Sequence, residues 1–294
     1  VKAQFKMAEG KVGDARAIDV WNCETFDAPL MQRLQREAEL LLRYYETDRR
    51  IFLEHDLGRG PGRSILRPDN PDAQKFLWLK EAIGREMNGR TIRAWHYTRL
   101  TDAEVEIVLR DGVHLSTPET LQRRLAAVVA AGNLSSELAN LLLAKSPFQS
   151  SQLETRVNRF WMTSHPTVID DGGVDPLMKH WGGEVASMWV HDEAFLAPLA
   201  VLGRPRVVEL AVPVELADAS YSAARAVIAT FARSRGAVPD KYAFDLRVTS
   251  PLPGTAILAV HTQGESAFEG MGRSYPAGFV DVSVGRWKEL TGED

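Results

Sequence analysis

Cysteine is almost missing from this chain. Cys23 is the only one among 294 residues, which excludes an intrachain disulfide and any metal site built from several cysteines of one chain. Histidine is present seven times, but never as His-x-x-x-His or His-Glu-x-x-His, so zinc hydrolysis lacks ligands at helical spacing. No apolar run approaches the roughly 20 residues that span a bilayer. The first residues also lack a secretory apolar core. A cytoplasmic protein without a membrane partner is therefore expected. Charge of one sign is equally scarce. Thirty-five Lys and Arg against 39 Asp and Glu leave a formal charge of −4. That is no footprint for nucleic acid or anionic lipid, though an RNA contact of the substrate type remains compatible with it. Three enzyme signatures are missing as well. There is no Gly-x-Ser-x-Gly elbow, which leaves an α/β-hydrolase unsupported, and no Walker sequence or dinucleotide-binding glycine fingerprint, which leaves a dehydrogenase unsupported too.

What is present describes a globular protein: 45% apolar and 25% charged residues, ample material for a core. Residues 1 to about 27 carry no pattern. From Leu30 to Arg50, Leu30, Leu34, Ala38, Leu41 and Tyr45 recur at helical spacing. A loop dense in Gly, Pro and Arg follows, HDLGRGPGRSILRPDNPD, and is read as a connector rather than a phosphate cradle because no strand leads into it. Phe76 to Met87 is a second amphipathic helix. Residues 1–90 thus form a helical N-terminal extension, and 91–294 an α+β domain of catalytic type.

The most consistent stretch is Thr91 to Thr117. An apolar strand ends at His96-Tyr97-Thr98. Thr101 with Glu104 makes a capping box, Val105, Val108 and Leu109 give one apolar helix face, and Gly112 is expected to end the helix in the αL position. Val113 to Ser116 is expected to resume as strand. Thr117-Pro118 and Ser135 or Ser136 cap two further helices, and Val157 to Thr163 reads as strand, ending in Ser164-His165-Pro166. Val174 to Trp181 reads as a short helix broken by Gly182-Gly183, with Glu184 opening a strand over Val185 to Val190. Asp192 caps another helix. A strong strand, PRVVELAVPV, precedes the helix SAARAVIATFARSR. Tyr242–Thr249 and Thr255–Thr262 are expected to pair as an antiparallel hairpin across Pro-Leu-Pro-Gly. After a glycine-rich loop, FVDVSV supplies a last strand.

AWHYTRL, the short helix and DGVHLST together resemble the first segment of the ADP-ribosyltransferase superfamily, in its poly(ADP-ribose) polymerase-like and RNA 2′-phosphotransferase-like branches. The resemblance is at motif level and covers a small part of the chain. It implies a split, mixed and mostly antiparallel sheet with flanking helices. It also implies that NAD is the substrate, and that the chain is an ADP-ribosyltransferase or NAD glycohydrolase of the kind found in bacterial effectors, toxins and defence proteins. His96 would hydrogen-bond the nicotinamide ribose, with Tyr97 and Thr98 beside it. Trp161 and Ser164, with Phe160, would wall the nicotinamide, and Gly183 would bring backbone near the ligand.

Breaking the nicotinamide–ribose bond develops positive charge on the ribose, which a positioned carboxylate stabilises. The chemistry therefore asks for a donor to the ribose, which His96 supplies, an aromatic wall and a carboxylate. Two glutamates compete for the last role. Glu184 follows Gly-Gly, and Glu265 lies in Gln263-Gly264-Glu265, similar to the Gln-x-Glu of toxin transferases. In those toxins the motif directly precedes a strand, whereas here a longer loop intervenes; Glu184 in turn comes earlier in the chain than the family's glutamate. Two alternatives stand beside this reading. One is a non-catalytic interaction module in which His96 is a polar strand end. The other is RNA 2′-phosphate transfer, for which Arg93, Arg99, Arg156 and Arg159 would have to converge. The macromolecular acceptor is open.

Overall fold

The computed structural model describes residues 17–56, 67–150, 153–240, 242–273 and 275. The glycine-arginine part of the connector (57–66) and the FVDVSV strand lie outside them. Five strands, β1 (Thr91–Leu100), β2 (Phe160–Thr163), β3 (Arg204–Pro213), β4 (Asp245–Val248) and β5 (Ile257–Thr262), form one sheet in the order β4-β2-β1-β3-β5. Every pairing between them is antiparallel, so the architecture is α+β. The helices are α1 (Ala28–Arg36), α2 (Ala38–Ile51), α3 (Ala73–Met87), α4 (Asp102–Asp111), α5 (Pro118–Ala130), α6 (Ser136–Lys145), α7 (Leu153–Arg156), α8 (Asp175–Lys179), α9 (Glu193–Val201), α10 (Ser220–Ser234) and α11 (Ser266–Glu269). No described helix is long and apolar enough to cross a membrane.

The main core lies where α10 and the N-terminal helices cover one face of the sheet. Ile92, Ala94 and Leu210, alternate residues of their strands, meet Val227 and Phe231 of α10 and Leu34, Leu41, Ile83 and Met87 of α1 to α3. α3 packs on α10 around Gly84, where a Cβ would make ordinary contacts, 3.7 Å from the Ser220 carbonyl oxygen and 3.9 Å from the Ala224 Cβ. Residues before β1 therefore share the sheet's own core, and Ile18 even bridges Ile92 in parallel. A second cluster joins α5, α6 and α9 around the fully buried Trp181.

Several elements differ from the sequence pattern. The helix expected over Leu30–Arg50 is two helices, parted at Glu37 (φ −96, ψ 6). Neither Gly nor Pro marks the break, which lets both Leu34 and Leu41 reach zero exposure. Val113–Ser116 is not a strand but an extended connector with two isolated bridges, Val113 to Leu252 and Ser116 to Arg159. The expected strand Val185–Val190 is a pair of 3-10 turns, Gly183–Val185 and Ser187–Trp189. The expected hairpin does not exist: β4 pairs with β2 and β5 with β3, at opposite edges of the sheet. The Pro-Leu-Pro-Gly segment instead crosses from one edge to the other, and Leu252 fastens it to Val113 by bonds of 2.9 and 3.2 Å.

Gly112 takes φ 86, ψ −161, not the αL conformation. That region is open essentially to glycine alone. The N-terminal end of α4 is as the sequence implies: the Thr101 hydroxyl accepts from the Glu104 amide and Glu104 reaches back to the Thr101 amide. Thr101→Ala should cost about 1 kcal/mol through the lost cap. A thermal melt unchanged from the native protein would show that the cap contributes nothing here.

Candidate functional site

The site grows out of a defect in the sheet. β1 pairs with β3 along its whole length, from Thr91 opposite Pro213 to Leu100 opposite Arg204. Against β2 it makes a single pair, Trp95 opposite Thr163. Continued, that ladder would set Tyr97 opposite Trp161. Instead the strands part, and the His96 ring spans the gap, with Nδ1 2.8 Å from the Trp161 carbonyl oxygen. A cavity of about 890 Å³ opens at this seam.

A carbonyl can only accept, so Nδ1 carries the proton and donates it. The neutral ring then offers Nε2 as an acceptor, which no described group occupies. Burial, helped by the nearby positive charge of Arg124 and opposed by the Trp161 bond, pulls His96 down to about 4. At neutral pH the imidazole is uncharged with its tautomer set by the backbone. The residue expected to donate a hydrogen bond thus presents an acceptor nitrogen instead. Phe160 packs on the imidazole at 4.2 Å between ring centroids.

Tyr97, Thr98, Trp161, Gly183 and Glu184 line the same cavity. Tyr97 is committed elsewhere. Its hydroxyl donates to the Thr167 carbonyl at 2.9 Å and accepts from the Thr167 amide at 2.5 Å. Burial pushes the phenol up to about 12, which keeps the proton that the double role needs. Tyr97 therefore ties the 164–168 segment to β1. Tyr97→Phe should lower stability by about 1–3 kcal/mol, because the half-buried Thr167 amide and carbonyl lose their partner; an unchanged melting temperature would mean that water replaces the hydroxyl. Trp161 carries the Arg247 guanidinium over one side, 5.0 Å from its ring centroid, and its indole nitrogen has no hydrogen-bond partner among the described residues. Gly182 and Gly183 take positive φ, 86 and 44. At Gly182 a Cβ would lie 2.6 Å from that of Ala186, so the pair serves its own turn as well as the cavity wall.

Two of the expected residues stand apart. Ser164 is fully buried behind the wall. Its hydroxyl accepts from the Phe244 amide at 3.1 Å and its carbonyl from the Trp21 indole at 2.8 Å. A residue needed by two backbone segments is a strut, not a ligand contact. Glu265 is exposed, outside the cavity, and stands as the N-cap residue of α11 with its carboxylate accepting from the Thr262 amide at 2.9 Å. Glu184 does reach the cavity, but Arg156 Nη1 sits 2.5 Å from its carboxylate. Of Arg93, Arg99, Arg156 and Arg159, Arg156 alone lines the cavity. Arg93 is paired with Glu209 on β3, Arg99 donates to the carbonyls of Leu202 and Met178, and Arg159 to that of Thr155.

The sequence pattern missed one wall altogether. Glu104, singled out only as a cap residue, also accepts from the Trp181 indole at 2.9 Å and from Arg124 at 2.8 Å. Burial opposes its charge, yet Arg124, the Thr101 amide and Trp181 together hold the carboxyl below its ordinary value. Asp245, at the head of β4, lines the cavity too. It looked like an ordinary polar residue of a hairpin strand, and only the pairing of β4 with β2 brings it here. Among the described residues no cluster of His, Cys, Asp and Glu could hold a metal ion. No protein-family model, curated protein or solved structure matches this chain.

Proposed function

We propose that this protein cleaves the nicotinamide–ribose bond of NAD and passes ADP-ribose to an acceptor or to water, on a sheet split in the manner of the ADP-ribosyltransferase superfamily. The observation that carries the proposal is the opening between β1 and β2, where a neutral His96 of fixed tautomer faces a large cavity. An imidazole held this way accepts a ribose hydroxyl proton without moving. Trp161 and Phe160 supply flat apolar surface for a nicotinamide ring, and the wall carries carboxylates for the charge that develops on the ribose. Such an activity suits a bacterial effector, toxin or defence protein that depletes NAD or marks a partner with it. RNA 2′-phosphate transfer is less favoured, because the arginines it needs do not converge on the cavity.

The test is incubation of the purified protein with NAD, followed by chromatography for free nicotinamide. Release proportional to enzyme concentration, with ADP-ribose appearing in solution or on an added lysate protein, is the expected result. Complete inertness towards NAD, with and without lysate, would leave the interaction-module reading in its place.

A further inference from the structure

Four carboxylates line the cavity: Glu104, Asp171, Glu184 and Asp245. Three of them are already engaged. Glu104 accepts from Arg124, Trp181 and the Thr101 amide. Glu184 lies 2.5 Å from Arg156. Asp171 closes its own turn by accepting from the Gly173 amide at 2.8 Å. The Asp245 carboxylate has no hydrogen bond or ion pair with any described residue. Its nearest hydroxyl neighbour across the strands, Thr163, donates instead to the carbonyls of His165 and Trp95.

Its placement is as telling as its lack of a partner. Asp245 is the first residue of β4 and stands opposite Thr163, which stands opposite Trp95. Directly opposed residues of an antiparallel sheet share a face, so the Asp245 and Trp95 side chains lie on one face, while His96, the next residue of β1, points to the other. That is the point at which β1 and β2 separate. Both His96 and Asp245 line the cavity, so a ligand that fills the strand gap can meet the imidazole from β1 on one side and the carboxylate from β4 on the other.

From this geometry we infer that Asp245, and neither Glu184 nor Glu265, is the catalytic carboxylate of the proposed NAD cleavage. The inference rests on that reading of function and names the group that does its electrostatic work. Asp245 is solvent-exposed at the cavity wall, so its lack of a counter-ion costs the free protein little, and partial desolvation raises its carboxyl above the ordinary value. A cationic ligand removes the remaining penalty. In the cleavage step the ribose C1′–N bond breaks and both electrons go to the nicotinamide nitrogen, which neutralises the pyridinium ring. The positive charge passes to C1′ and the ring oxygen of the ribose, where Asp245 stabilises it. Water, or the nucleophile of an acceptor, then forms the new bond to C1′ and gives its proton to solvent. Glu184 cannot take this part without first leaving Arg156, and Glu265 lies outside the cavity.

The test compares Asp245→Asn, Glu184→Gln and Glu265→Gln for nicotinamide release, and for NAD affinity by calorimetry. Asp245→Asn should lower release by about two to three orders of magnitude. It should melt at or above the native temperature, since it removes an uncompensated charge and no bond. Asp245→Glu keeps the charge and should recover part of the activity. Glu184→Gln should act chiefly on affinity through the released Arg156, and Glu265→Gln should behave as the native enzyme. An active native protein whose Asp245→Asn variant remains folded and active overturns the inference and leaves the NAD reading standing. So does a Glu184→Gln variant that binds NAD normally and has lost turnover. A native protein that neither binds nor cleaves NAD removes the functional reading, and the assignment of Asp245 goes with it.

Discussion

Replacing His96 with alanine should lower nicotinamide release by about a hundredfold, the loss expected of one positioned hydrogen-bonding group in a transition state. The imidazole does two things at once: Nδ1 donates to the Trp161 carbonyl across the strand gap, and Nε2 is left to accept from the ribose. Alanine removes both, so some stability goes with the activity. Asparagine separates them. His96→Asn places an amide N–H where Nδ1–H stood and restores the bond to Trp161, but has nothing in the place of Nε2. It should therefore melt close to the native protein and stay as inactive as the alanine variant. An active His96→Asn would show that the residue only bridges two strands.

The titration of His96 gives the same assignment a second readout. Its folded value of about 4 lies below the ordinary 6.5, so between those values the unfolded chain binds a proton that the native protein refuses. Native stability should consequently fall as pH drops from about 6.5 towards 4 and level off below, and the His96→Ala variant should lack this part of the slope. Above pH 6.5 the residue contributes no pH dependence to stability. Nicotinamide release should likewise show no inflection from His96 near its ordinary value.

Gly112→Val, at the cavity wall, should destabilise the fold by about 2–6 kcal/mol. Of this, about 1–3 comes from forcing a β-branched residue to φ 86, ψ −161. A further 1–3 or so comes from overpacking, because a Cβ at Gly112 would lie 1.9 Å from the Leu252 carbonyl oxygen and 2.5 Å from the Pro253 carbonyl carbon. Gly132 is the control. It also has positive φ, at 74, but nothing lies within 4 Å of its missing Cβ, so Gly132→Val should show the backbone cost alone. Equal losses for the two variants in thermal or urea unfolding would mean that the crossing segment yields easily. The comparison bears on the site because Gly112 lines the cavity, and the crossing segment it supports leads back from β4, the strand that carries Asp245.

Local chemistry along the chain determined a good deal. The capping box at Thr101 and Glu104, the Thr117-Pro118 and Ser135 starts of α5 and α6, and the Asp192 cap of α9 all form with the bonds their sequence implies. Each of these depends on atoms within a few residues of one another. The apolar runs that make β1 and β3 strands are legible for the same reason, but β1 continues to Leu100, so His96 sits half-buried inside the strand and not at its end. Tertiary structure decided which strands pair, since a turn sequence such as Pro-Leu-Pro-Gly permits a hairpin without enforcing one. Here Leu252 bridges Val113, and the strands on either side of it pair at opposite edges of the sheet. It also decided which carboxylates are free. Glu184 is set apart from Asp245 by Arg156, 28 positions earlier in the chain, a contact that depends on the folded chain, whereas Glu265 is held by the Thr262 amide only three residues away. Whether a glutamate is a cap, half of an ion pair or an unpaired charge in a cavity depends on what the fold brings within 3 Å of it, and no spacing along one chain carries that information.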